Sequence, residues 1–155
     1  MLALLAMQGC ADAALPIYLA DSFDTQENRD LIRTSISDYL GLDVRFTSQH
    51  YGALMLDLPA IAPGQTGILV GHAIRHDPCI KYAWAAPRPA TIAHETAHTL
   101  GLRHVCEIDD GDCTAEDEEN LMHPHVPPDT HLYLYIEQLE TVWQAAYLLD
   151  ACWTS

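Results

Sequence analysis

Residues 93–104 read Ala93-His94-Glu95-Thr96-Ala97-His98-Thr99-Leu100-Gly101-Leu102-Arg103-His104. On an α-helix, residues four apart sit about 40° apart around the axis, so His94 and His98 project from one face a turn apart. Two imidazoles so placed can reach one zinc ion at about 2.1 Å. Glu95 lies about 100° further round, where it can hydrogen-bond a water at the metal without becoming a ligand. Gly101 lacks a Cβ and can adopt a left-handed conformation, so the chain can leave the helix sharply. That turn can return His104 as a third nitrogen ligand. Three protein ligands with one open position suit a catalytic zinc, whereas four suit a structural one.

The extended pattern H-E-x-x-H-x-x-G-x-x-H resembles that of the metzincin clan of metallopeptidases, in which it is followed by a methionine turn. Glu119-Asn120-Leu121-Met122-His123-Pro124 is similar to that turn, and Met122 lies 18 residues after His104. Astacin-like and serralysin-like members place a tyrosine two residues after the methionine. Pro124 stands there in this chain, and Met-His-Pro is closest to the matrixin and reprolysin versions. The resemblance implies an α/β (α+β) fold with a twisted mixed sheet and two helices in an upper half. It implies an irregular lower half with the methionine turn and a C-terminal helix. The implied activity is hydrolysis of peptide bonds in proteins or peptides, with one catalytic Zn2+ and Glu95 as general base. An extended substrate would pair with an edge strand supplied by Thr66–Ile74 or Ile80–Ala85. The rival reading is a zinc-binding pseudoprotease or peptide-binding module without catalysis.

Outward from the motif, hydrophobic periodicity predicts the remaining elements. Leu15–Ala20 reads as a first strand. Asp24 is the expected N-cap of a helix, with Glu27 completing a capping box. Leu31, Ile32, Ile36, Tyr39 and Leu40 share one face of that helix, and Gly41 stops it. Asp43–Ser48, Tyr51–Leu58, Thr66–Ile74 and Ile80–Ala85 read as strands, with Pro59–Gln65 a loop and His76-Asp77-Pro78 a turn. The motif helix begins near Pro89. A final helix is expected from near Asp129, with Leu132, Tyr135, Ile136, Leu139, Trp143 and Ala146 along its buried stripe.

The 155 residues suffice for one domain, so residues 15–155 are taken as a single metallopeptidase domain. Twenty-two acids against 7 Lys and Arg leave a net charge of -15, which argues against nucleic-acid or anionic-membrane partners. Residues 1–14 resemble the end of an export signal. Gly9-Cys10 is similar to a bacterial lipoprotein cleavage point, with Cys10 the lipidated residue. Plain secretion and an ordinary N-terminal strand are the other readings. The expected location is extracytoplasmic, with a lipid anchor as the sole membrane link, and the expected state is a monomer. With Cys10 set aside, four cysteines allow three pairings. Cys106–Cys113 is favoured because it closes a short loop, with Cys79–Cys152 tying down the C-terminus; free buried thiols are the alternative that a cytosolic location would require.

Residues 107–119 hold eight acids, among them Asp109, Asp110 and Asp112. Three readings stay open: attraction of basic peptides, a Ca2+ site, and a plain solvated loop. His72, His76, His123, His125 and His131 are assigned to no metal.

Overall fold

The structure is a computed structural model. It describes residues 14–60, 71–77 (backbone only), 79–107, 110–125 and 132–152. The leader with Cys10 and residues 66–70, 78, 108–109 and 126–131 lie outside the described residues.

Strand β1 (Ala14–Tyr18) buries Leu15, Pro16 and Ile17 in succession, the pattern of a strand covered on both faces. It lies between β2 (Asp43–Thr47) and β3 (Ala53–Asp57), parallel to both. β3 in turn pairs in parallel with β5 (Ile80–Ala85), and β4 (Gly71–Asp77) closes the sheet as an antiparallel edge. The order is β2-β1-β3-β5-β4. Because β5 is internal, the sheet edge on that side is β4 among the described residues. His76 and Asp77 are strand residues and not the expected turn. Asp77 pairs with Ile80 across a register irregularity, which leaves only residues 78 and 79 for the reversal.

Helix α1 (Gln26–Leu40) starts one residue later than Asp24 suggests. The Thr25 hydroxyl accepts the Asn28 amide at 3.1 Å and is the N-cap. Asp24 is drawn instead to the Arg29 guanidinium at 2.6 Å. With Thr25 as cap, Asn28 occupies the third helical position and Glu27 cannot complete a box. Ile32, Ile36 and Leu40 are fully buried, as the periodicity predicts. Gly41 ends the helix at φ 65°.

Helix α2 (Pro89–Thr99) begins on the expected proline and is buried along most of its length. It packs on α1 and on the β4–β5 pair. Helix α3 spans Ile136–Ala151, beginning seven residues after the expected Asp129, which lies outside the described residues. Leu132 and Leu134 are buried from an extended segment whose Tyr133 backbone bonds to Glu119 and Leu121. Their spacing of two is that of a strand, so the helical stripe holds Val142, Ala146 and Leu149, with Leu139 and Trp143 partly buried. Tyr135 and Ile136, expected in the stripe, are exposed.

Among the described residues, long-range links hold α3 to the sheet half. Trp143 Nε1 donates to Leu40 O at 2.7 Å, Asp150 meets Arg45 at 2.8 Å, and Cys152 is disulfide-bonded to Cys79. Cys106 and Cys113 form the second disulfide, with Cα atoms 5.1 Å apart. Both favoured pairings are therefore present.

Candidate metal centre

The last turn of α2 decides where the third imidazole goes. Leu102 N–H donates to Ala97 O at 3.0 Å and Gly101 N–H to His98 O at 3.1 Å, the paired bonds of a Schellman motif. Gly101 sits at φ 103°, a conformation that costs a side-chain-bearing residue. The reversal brings His104 back beside the helix. Ring centroids are 4.6 Å apart for His94–His98, 4.8 Å for His98–His104 and 5.4 Å for His94–His104. One ligand atom from each of the three lies within 4.8 Å of the others.

The outer nitrogens are spoken for. His94 Nδ1 lies 2.7 Å from Leu121 O, and His98 Nδ1 lies 2.8 Å from Leu102 O. A carbonyl oxygen only accepts, so in both rings the proton is on Nδ1 and, in the neutral ring, Nε2 carries a lone pair. Yet the two Nε2 atoms stand 3.1 Å apart. Two lone pairs at that separation repel unless a proton or a metal cation lies between them. Ligands at about 2.1 Å on a tetrahedral zinc are about 3.4 Å apart, so the donor set fits the ion.

Burial sets the proton affinities. His94 is 4% exposed, and desolvation of the imidazolium lowers its pKa to about 3, which keeps the ring a neutral donor. Glu95 is 8% exposed, and burial pushes its pKa up to about 8. Its Oε1 lies 4.0 Å from His94 Nε2, beside the cluster and outside ligand distance of that nitrogen.

Met122 is fully buried, and its carbonyl accepts the Val105 amide at 3.1 Å, next to His104. The turn itself is held by Asn120, which sequence reasoning overlooked. Asn120 Oδ1 accepts the Met122 amide at 2.8 Å and Asn120 Nδ2 donates to Gln138 Oε1 at 2.8 Å. Its position in the quoted turn was the only available signal. The Leu121 carbonyl had none, because a backbone acceptor is the same in every residue.

Of the acids at 107–119, none joins a metal-competent group among the described residues, so the calcium reading gains no support; Asp109 lies outside them. Asp112 bonds the Glu107 amide at 2.8 Å and Asp117 the Thr114 amide at 2.9 Å, ordinary loop capping. His123 lies near Cys106 and Cys113, but both sulfurs are consumed in their disulfide.

No protein-family model and no curated protein matches the chain in sequence. Solved structures do match in fold. Metalloproteinase-II from Bacteroides fragilis superposes with a TM-score of 0.58 at 16% identity, over 86% of this chain. The chain spans 53% of that protein's length. High choriolytic enzyme 1, a hatching enzyme zinc-protease from the medaka fish Oryzias latipes, superposes with a TM-score of 0.50 at 11% identity. That likeness covers 92% of this chain and 91% of the fish enzyme. The four parallel strands, antiparallel edge and three helices thus share the fold of these two metalloproteinases, and among the described residues a histidine cluster that could hold a metal ion lies at the end of the central helix.

Proposed function

We propose that the chain is a zinc-dependent endopeptidase in which His94, His98 and His104 hold the metal and Glu95 is the general base. The observation that carries the reading is the convergence of one ligand atom from each of His94, His98 and His104 within 4.8 Å of one another, with the first two Nε2 atoms 3.1 Å apart. A bound zinc supplies Lewis acidity, which brings the ionisation of water into the neutral range and polarises the scissile carbonyl.

The protein's own contribution is orientation and proton transfer. Leu121 O and Leu102 O fix the ring tautomers, so the rings need no rearrangement to bind. Glu95, buried beside the cluster, takes a proton at Oε1 from the attacking water and returns it to the leaving amine. Among the described residues β4 is the sheet edge, to which an extended peptide can add as a further strand. Two disulfides favour an oxidising compartment, so the proposed location is outside the cytoplasm, secreted or anchored through Cys10. The proposed working unit is a monomer.

The test is cleavage of an unstructured protein together with metal analysis. The native chain should carry one zinc and cleave; a chelator should abolish both. Glu95→Ala should keep the zinc and lose at least about a hundredfold in rate, in line with removal of a general base. Zinc binding without cleavage by the native chain would leave a non-catalytic binding module, and no zinc at all would end both readings.

A further inference from the structure

The three imidazoles are not buttressed alike. His94 and His98 direct Nδ1 at backbone carbonyls, whereas His104 Nδ1 faces the Glu107 carboxylate, Oε1 at 3.4 Å. A carbonyl brings a partial charge to the ring N–H, a carboxylate a full one, which holds the orientation of the ring more strongly.

Glu107 is an unpromising partner at first sight. Its side chain is 58% exposed, and an exposed acid paired with a histidine ordinarily contributes little because ordering both side chains costs entropy. Here the backbone between the two residues is held at each step. Val105 N–H is bonded to Met122 O at 3.1 Å. Cys106 is 5% exposed and disulfide-bonded to Cys113. Glu107 N–H donates to Asp112 Oδ1 at 2.8 Å, and Glu107 O accepts the Asp110 amide at 3.2 Å. Gly111 at φ 67° makes the reversal that brings Asp112 and Cys113 back. Only the glutamate's own rotamers remain to be fixed.

We infer that Glu107 is a positioning residue for His104, and that the Cys106–Cys113 disulfide is the clamp that keeps its carboxylate on that ring. The inference rests on the metal-ligand reading of the three histidines. Opening the clamp by reduction would then loosen the metal without touching a ligand, which makes metal retention sensitive to the thiol–disulfide state of a loop outside the coordination sphere.

Zinc affinity, measured by competition with a chromophoric chelator, tests this without recourse to activity. Glu107→Ala should weaken binding about tenfold or more, the range seen when the partner of a ligating histidine is lost. Glu107→Gln keeps an acceptor oxygen and should recover part of the loss. Glu118→Ala removes one charge from the same acidic stretch and should change affinity less than twofold. The paired Cys106→Ser, Cys113→Ser variant should match Glu107→Ala, and combining all three changes should add little beyond either. The 15N resonances of the His104 imidazole should shift in Glu107→Ala while the melting profile of the metal-free protein stays put. Unchanged affinity in Glu107→Ala, an equal loss in Glu118→Ala, or fully additive losses in the combined variant would each overturn the inference. A native chain that binds no zinc, or binds it equally well after His104→Ala, would instead refute the metal centre.

Discussion

Replacing Glu95 by glutamine should stabilise the metal-free protein, by an amount that grows with pH. Burial raises the Glu95 pKa from 4.5 to about 8. The unfolded chain therefore releases this proton more readily than the folded one, and the folded state loses ground as pH rises between the two values. The stability is fully present below about pH 4.5 and fully lost above about pH 8. A difference of about 3.5 units at 1.36 kcal/mol each gives about 5 kcal/mol over the whole window, and about 3 kcal/mol of it has gone by pH 7. With the residue only 8% exposed, little of this is screened away. Glutamine has no such titration. His94 works in the opposite direction, its lowered pKa costing stability below about pH 6.5, but that cost is common to both proteins and cancels in the comparison. Urea unfolding of both proteins at pH 4.5, 7 and 9 with excess chelator measures the gap. It should be small at the first pH and several kcal/mol at the last. A gap that is flat across the three values would show that Glu95 is not held in a desolvated site, and the argument for its raised proton affinity would fail.

Three further outcomes follow from the geometry. Gly101→Ala should cost about 1–3 kcal/mol and weaken zinc binding, both read from denaturation and metal titration. The added Cβ would meet Thr141 Cγ2 at an ordinary 3.5 Å, so the cost arises from φ 103° and not from crowding. Removing the Cys79–Cys152 bridge, which closes a separation of 73 residues, should cost about 4 kcal/mol and lower Tm by on the order of 10 °C. Met122→Ala should cost about 2–5 kcal/mol by leaving a cavity, while Met122→Leu should cost less than about 1.5 kcal/mol and keep the metal, which calorimetry and zinc analysis would show.

What could be read from the chain beforehand follows a physical divide. The α2 helix, its glycine exit and the convergence of His94, His98 and His104 were legible because helical spacing and a left-handed turn are local properties. The favoured disulfides were legible because one closes a short loop, which leaves the other two cysteines to each other. Elsewhere competition decided. Asp24 and Thr25 are both good caps, and the choice fell to Arg29, which captures Asp24. His76 and Asp77 look like turn residues, yet the pairing of β4 with β5 overrides that preference. Leu132 and Leu134 fit a helix start or a strand equally well until the Tyr133 backbone is seen bonded to Glu119 and Leu121. The supports of the clustered histidines were hidden most deeply, since two of them are carbonyls with no side-chain signature.

One of those carbonyls has a consequence for biosynthesis. The Leu121 oxygen that orients His94 lies 27 residues downstream of it, and Leu121 is itself anchored by Tyr133. A nascent chain that has just released all three histidines from the ribosome still lacks the acceptor that selects the ring tautomer. Assembly of the ordered histidine cluster is thereby deferred until translation has passed Tyr133 and the segment that anchors Leu121 has joined the fold.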